Sequence, residues 1–143
     1  MRNHAILILA VLAFTATSAT AQNAAPTLPS GWVEVSSGEG VRVSVDPSRI
    51  TERPAGLLRM WTRWDLDRPR ALSGKNYARA MRQIELDCAE ARMRNLSSAY
   101  YSAGGSVVSS YTSTFPEWDP VVPNRVADGI LQEVCGYMGK PTG

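Results

Sequence analysis

Histidine is almost absent from this sequence. The single residue, His4, lies in an apolar N-terminal segment rather than in the body of the chain. Ser-His-Asp and Cys-His triads need an imidazole base. Most acid–base chemistry near neutral pH uses histidine, and many zinc and copper sites use it as a ligand. We therefore expect no catalytic residues, no metal site and no cofactor, and we do not expect an enzyme.

The sequence also lacks a hydrophobic run long enough to cross a membrane. Its longest apolar run, residues 5–16, has about 12 residues, whereas a bilayer span needs ~20. Arg2 precedes the run, and Ala19 and Ala21 form a small-x-small cleavage site after it. This order is typical of a cleaved export signal, so we predict a signal peptide at residues 1–21.

The segment after the predicted cleavage site begins the mature chain. Residues 22–30 are small and polar with two prolines, which favours a disordered leader. We predict one folded domain at residues 31–139. Because no cysteine directly follows the cleavage site, we expect no lipid anchor. We expect no transmembrane segment either, and therefore a soluble periplasmic or secreted protein.

Neither sign of charge is in large excess. The chain has 15 Lys and Arg residues against 13 Asp and Glu residues, and loss of Arg2 makes the balance 14 to 13. A nucleic-acid-binding domain is usually strongly basic. We therefore expect no nucleic-acid partner.

Cysteine is scarce as well, and the two residues present are Cys88 and Cys135. They form no Cys-x-x-Cys redox motif, and further soft metal ligands are missing. An even pair in an exported protein is most simply a disulfide. A bond across this separation would stabilise the fold by roughly 4 kcal/mol.

Alternation of apolar and polar residues predicts an antiparallel sheet of about six strands. The clearest run is Val41, Val43 and Val45, and the strands are expected near residues 32–35, 41–45, 56–65, 77–88, 92–101 and 106–112. Residues 77–88 contain good helix formers, yet their later half alternates, so we favour a strand. Residues 66–75 are charged and contain Pro69, and we interpret them as a surface loop.

A helical pattern closes the sequence. Apolar residues recur at helical spacing from Val126 to Met138, and Cys135 lies on the apolar stripe. Strands followed by one segregated helix give an α+β fold, with the helix packed on one sheet face. A Cys88–Cys135 bond would tether the fourth strand to that helix.

The order of several short segments resembles one known family of exported bacterial proteins. The segments are Trp32, VSVDPSRI at 43–50, MWTRW at 60–64, Tyr77, LDC at 86–88, AYYSAGGSVVSS at 99–110 and VPN at 122–124. Together they resemble the surface-adhesin protein E-like domain. The resemblance implies a twisted antiparallel sheet with a disulfide-tethered C-terminal helix. It also implies display at the cell surface and binding of host matrix and serum proteins.

Two sets of side chains are candidates for partner binding. Arg79, Arg82, Arg92 and Arg94 could form a basic strip across two neighbouring strands, suited to an acidic partner. The alternative is a solvated sheet face balanced by nearby carboxylates. The aromatic residues Trp61, Trp64, Tyr77 and Trp118 could line a groove, although we expect at least two of them to pack in the core.

Three hypotheses for function follow. The first is a non-enzymatic binding domain with an unidentified protein partner, able to form a homodimer through an edge strand. The second is a periplasmic accessory protein that binds a small ligand between sheet and helix. The third, an enzyme, would need several titratable groups converging in one cleft. A closed layer between sheet and helix would argue against the second hypothesis.

Overall fold

The computed structural model describes residues 31–143. The predicted signal peptide at 1–21 and leader at 22–30 lie outside the described residues. Besides two single-turn 3-10 helices, the described part contains eight strands and one α-helix: β1 Val33–Gly38, β2 Val41–Val45, β3 Thr51–Arg53, β4 Leu57–Leu72, β5 Lys75–Asp87, β6 Arg92–Tyr101, β7 Val107–Thr112, β8 Asp119–Pro120 and α1 Val126–Tyr137.

All strand pairs are antiparallel and belong to one sheet. Six strands run in the order β1-β2-β4-β5-β6-β7, while β3 pairs with β4 and β8 pairs with β6. The prediction of an α+β sheet with a C-terminal helix is confirmed, but the count of six strands is too low. The two extra strands are three and two residues long and wholly exposed. They therefore carry no apolar alternation that a sequence pattern could show.

The prediction of a surface loop at residues 66–75 is wrong. Strand β4 continues to Leu72 and β5 begins at Lys75, so the loop shrinks to Ser73 and Gly74, both at positive φ. The β4–β5 register shifts between Asp65 and Arg70, and this irregularity accommodates Pro69, which cannot donate a backbone hydrogen bond. The segment is exposed, as its charge indicated, but it is paired.

The core lies between α1 and one face of the sheet, which we call the helix face. Its fully buried side chains come from β2, β4 and β5 (Val43, Val45, Leu58 and Leu86) and from the helix (Ile130, Val134 and Cys135). The helix lies so close to β1 that a Cβ added at Gly129 would fall 2.3 Å from the Ser36 hydroxyl oxygen. Glycine at this point therefore permits the close approach.

The predicted disulfide is confirmed. Cys88, directly after β5, is bonded to Cys135 in α1, with their Cα atoms 6.0 Å apart. Both residues are buried. The bond therefore fixes the end of β5 to the helix. Within residues 31–143 the helix, at 12 residues, is not long and apolar enough to span a membrane.

Candidate functional site

The opposite face of the sheet, which we call the open face, carries the strand side chains that point away from α1. The register of β2, β4, β5 and β6 sets these side chains in rows across the strands. One row runs Arg42, Asp65, Arg79, Tyr101, and the next runs Ser44, Arg63, Met81, Ala99. Successive residues of one strand alternate between the two faces, so the members of a row come from different strands. The pairing of the strands, and not proximity in the sequence, therefore brings them together.

An aromatic groove crosses one end of the open face. We define it by Trp32, Trp61, Met81, Ala99 and Tyr101, which line a cavity of about 300 Å³. Trp32 is 40% and Trp61 43% exposed, which is unusual for tryptophan in a small domain.

The aromatic groove extends at both ends. A neighbouring cavity of about 450 Å³ shares Trp32, Met81 and Tyr101 with it. A third cavity, of about 410 Å³, shares Trp61 and Ala99 and continues along hydroxyl-bearing residues of β6 and β7: Ser97, Ser98, Ser110, Tyr111 and Thr112. The result is one continuous trough, apolar in the middle and polar at its far end.

The charges beside the aromatic groove are paired with one another. The Asp65 carboxylate accepts hydrogen bonds from the Nε of Arg63 at 2.8 Å and of Arg79 at 2.6 Å. The Arg63 guanidinium also lies 5.3 Å from the centre of the Trp32 ring, which helps to hold that indole in place. Arg49 pairs with Asp46 on the groove's other side. The groove is therefore rimmed by charge but close to neutral.

The other end of the open face carries a denser cluster that we call the arginine ladder: Arg59, Glu85, Asp87, Arg92 and Arg94. Glu85, whose side chain is only 3% exposed, accepts hydrogen bonds from Arg59 at 2.6 Å and from Arg94 at 2.7 Å. Arg92 pairs with Asp87 at 3.0 Å. The polar groups of the ladder thus satisfy one another.

Trp118 covers the arginine ladder. Its ring centre lies 4.8 Å from the Arg92 guanidinium and 4.4 Å from that of Arg94. It is brought there by β8, which pairs with the start of β6. Burial raises the pKa of Glu85, but hydrogen bonds and charge from Arg59 and Arg94 outweigh it and hold that pKa below its usual value.

The four arginines predicted to form a strip do not lie together. Arg79 borders the aromatic groove, Arg92 and Arg94 belong to the arginine ladder, and Arg82 lies on the helix face over the Trp64 ring. Arg79 and Arg82 are three residues apart on β5, so the alternation of a strand sends them to opposite faces. The continuous basic strip is therefore a wrong prediction.

The four predicted aromatic residues also separate. Trp61 lies in the aromatic groove, Trp118 covers the arginine ladder, and Trp64 packs against the core. Tyr77 contacts the Tyr100 ring edge-on, with 5.0 Å between ring centres. Sequence reasoning missed the other four groove residues, namely Trp32, Met81, Ala99 and Tyr101. They come from three different segments, and only the strand register brings them beside Trp61.

The layer between sheet and helix is closed. The helix side chains that face the sheet, Ile130, Val134 and Cys135, are fully buried, as are Leu58 and Leu86 opposite them. This packing argues against a small ligand between sheet and helix. Residues 31–143 also contain no group of three or more His, Cys, Asp or Glu side chains placed to hold a metal ion.

Comparison with known proteins gives one family and one fold. The family model for surface-adhesin protein E matches residues 32–136. A crystal form of Haemophilus influenzae protein E is similar at a TM-score of 0.58 and 14% identity, covering 82% of this chain and 98% of that one.

Two further structures agree. Another Haemophilus influenzae protein E structure gives a TM-score of 0.57 at 15% identity, covering 84% of this chain and 96% of that one. Protein E from non-typeable Haemophilus influenzae gives 0.55 at 14% identity, covering 79% and 80% respectively. At these identities the likeness concerns the fold. No curated protein matches the sequence.

Proposed function

Because the chain belongs to the surface-adhesin protein E family, we propose that it is an exported, non-enzymatic binding domain with an adhesin-like role. Its partner is a host matrix or serum protein, and the partner docks on the aromatic groove. The observation that carries this proposal is the exposure of Trp32 and Trp61 in one continuous trough.

The chemistry of the aromatic groove suits a protein surface. Tryptophan and tyrosine are enriched at the energetic centres of interfaces because they bury much apolar area with few rotatable bonds. The flanking ion pairs form a polar rim, as at most interfaces. Of the four arginines considered above, Arg79 borders the groove, and it is the one we expect to meet an acidic group of the partner.

A binding assay on purified full chain tests the proposal. Extracellular-matrix and serum proteins are immobilised, and binding is followed by surface plasmon resonance for the original chain and for Trp32→Ala and Trp61→Ala. Truncating a central aromatic anchor typically costs ~2 kcal/mol or more, which is about 30-fold in Kd.

Phe115→Ala is the matched control, because Phe115 is 86% exposed and outside the groove. It should bind like the original chain. Equal binding by all four proteins to the same partner would exclude the groove as its docking site. Failure of the original chain to bind any of the immobilised proteins would count against the adhesin-like role itself.

Export is tested separately. The family is named for surface proteins, and we propose that this chain is exported to the periplasm or the cell exterior after cleavage behind Ala21. Mass spectrometry of the protein from cell fractions should give a mature N-terminus at residue 22. A cytoplasmic chain that retains residues 1–21 would contradict the proposal.

The predicted homodimer has one open edge available in the described sheet. Strand β7 ends the strand order and is almost wholly exposed, whereas β1, at the other end, is packed by α1. We propose pairing of two copies through β7. Size-exclusion chromatography with light scattering should show a dimer that Ser109→Pro disrupts, since proline removes a backbone donor. A monomer at all concentrations would contradict this.

A further inference from the structure

Arg82 differs from five arginines of the open face. Arg59, Arg63, Arg79, Arg92 and Arg94 each pair with a carboxylate. Arg82 lies on the helix face and has no such ion pair within residues 31–143. Its Nε is completely buried and has no hydrogen-bond partner there. A buried charged donor without an acceptor is costly and is rarely kept without a compensating group.

The surroundings of Arg82 are rigidly built. The buried Thr62 hydroxyl donates to the Arg82 carbonyl oxygen at 3.0 Å and accepts from the Trp64 indole Nε1 at 2.8 Å. The Arg82 guanidinium lies 4.4 Å from the centre of the Trp64 ring. The Thr62 hydroxyl thus holds both the Trp64 indole and the β5 backbone at Arg82. Because the indole is fixed, the guanidinium that stacks on it is held in one place.

A cavity of about 140 Å³ opens beside the guanidinium. Its wall is formed by Trp64, Arg82, Ile84, Met93, Asn95 and Asp119. A cavity of about this size holds a molecule as large as benzene. It is distinct from the aromatic groove, which lies on the opposite face of the sheet.

Two opposite charges line this cavity without contacting each other. Arg82 contributes a guanidinium, and Asp119, which β8 brings beside Met93, contributes a carboxylate. The Asn95 amide is already engaged with Tyr111 at 2.6 Å and Ser98 at 2.9 Å. Ile84 and Met93 supply apolar surface. Such a cavity complements a small molecule with an anionic end, a cationic end and a short apolar part.

We propose that this cavity is a binding site for a small zwitterionic amino acid. The ligand carboxylate binds the two terminal nitrogens of Arg82 in the forked geometry that guanidinium groups favour, because the buried Nε is out of its reach. The ligand ammonium binds Asp119, and the side chain packs on Met93. Occupation of the site gives the Arg82 guanidinium a carboxylate partner that residues 31–143 do not supply.

The test uses the full chain and nuclear magnetic resonance of arginine Nε–H groups, with alanine as the probe. Titration should shift the Arg82 Nε–H resonance saturably and leave that of Arg92 unchanged. Propionate, which has no ammonium, and ethylamine, which has no carboxylate, should each bind at least about ten-fold more weakly, as expected for loss of a charge-assisted hydrogen bond.

Variants separate the two ends of the ligand. Arg82→Gln and Asp119→Asn should each weaken alanine binding at least about ten-fold, while Arg92→Gln should bind as the original chain does. Should Arg82→Gln fail to fold, Arg82→Lys keeps the charge but lacks the fork, and it should also bind weakly.

Other results would overturn the proposal. If alanine causes no shift beyond that produced by sodium chloride, the cavity holds only water or a simple anion. If propionate binds as well as alanine and Asp119→Asn has no effect, the site is a carboxylate site and not one for a zwitterion. These outcomes do not depend on binding at the aromatic groove, so the two proposals fail separately.

Discussion

The two ends of the open face use the same kinds of residue to opposite effect. The arginine ladder and the aromatic groove each combine arginines, carboxylates and tryptophan on neighbouring strands. In the ladder, the Trp118 ring stacks on the guanidinium groups of Arg92 and Arg94. In the groove, Trp32 and Trp61 remain about two-fifths exposed. We therefore expect the ladder to stabilise the fold, whereas the groove is the surface that we propose for binding.

The difference arises from what covers each end. Strand β8 pairs with the start of β6 and brings Trp118 over the ladder, so Glu85 is shielded from water and its two arginines are held in place. Nothing comparable covers the groove within residues 31–143. The pair Arg79–Asp65 is consequently more exposed, and exposed pairs contribute little.

The largest expected effect is that of removing the disulfide. Cys88 directly follows Asp87, so the bond anchors the ladder end to α1 and leaves the groove end unanchored. Replacing both cysteines by alanine should lower the free energy of unfolding by about 4 kcal/mol in the chain-entropy view, for a loop closed at a separation of 47 residues. Urea denaturation measures this loss.

Hydrogen exchange on the same double variant sharpens the comparison. Amides near Glu85 and Leu86 should lose more protection than those near Ala80 and Met81, because the ladder end alone is released from the helix. Equal loss along β5 would mean that the two ends are not independently anchored.

Glu85→Gln should have the next largest effect. The substitution leaves Arg59 and Arg94 without their shared carboxylate in a shielded site. Breaking a buried pair costs 3–5 kcal/mol, and since these arginine side chains are 35% and 26% exposed we expect about 3 kcal/mol.

Asp65→Asn is the matched substitution at the groove end. It also deprives two arginines of one carboxylate, but in a more exposed setting, and should cost about 1 kcal/mol. Thermal denaturation of both variants gives the contrast directly. Equal losses of stability in the two variants would show that the cover by Trp118 does not strengthen the ion pairs of the arginine ladder.

Acid should weaken the arginine ladder, whereas pH values near neutral should leave it unchanged. The pKa of Glu85 is lowered in the folded state, so its contribution is complete above its usual pKa of about 4.5 and is lost as pH falls through the folded value. The free energy of unfolding should therefore be level from pH 7 to about 5 and decline below about 4.5. In the Glu85→Gln variant, the free energy of unfolding should fall less steeply below about pH 4.5.

Asp46 provides the comparison at the groove end. A hydrogen bond from the Ser48 side chain lowers the pKa of this partly buried carboxyl, whose side chain is 12% exposed. Asp46→Asn should therefore change the acid limb in the same direction but less than Glu85→Gln. Measuring unfolding free energy at several pH values for the three proteins decides this, and an unchanged slope in Glu85→Gln would contradict the role of Glu85.

The sequence was sufficient for the six main strands, the helix and the disulfide, because each rests on local periodicity or on a single cysteine pair; it was not sufficient for β3, β8 and the paired ends of β4 and β5. Val41–Val45 and Val126–Tyr137 were recognisable from spacing alone. The site was not. Arg79 and Arg82 looked adjacent in sequence, and only the strand register shows that they lie on opposite faces. Trp32, which precedes β1, becomes a neighbour of Met81 and Tyr101 through pairing across the five strands from β1 to β6, which no local pattern encodes.

The smallest expected effect on stability is at Trp61. Because it is 43% exposed and lies in an uncovered groove, Trp61→Ala should lower the free energy of unfolding by about 0.5 kcal/mol or less. Trp118→Ala should cost more, about 1–2 kcal/mol, since it removes stacking on Arg92 and Arg94. Urea denaturation of the two variants side by side measures the difference.

Partner binding should show the reverse order. Trp61→Ala should lose affinity for a partner that docks in the aromatic groove, and Trp118→Ala should retain it, because its aromatic surface already faces two arginines of the same chain. If stability and binding decreased together in both variants, the two ends of the open face would not have separate roles. Opposite orders in the two measurements would mean that one sheet face serves folding at the end β8 covers and recognition at the end it leaves open.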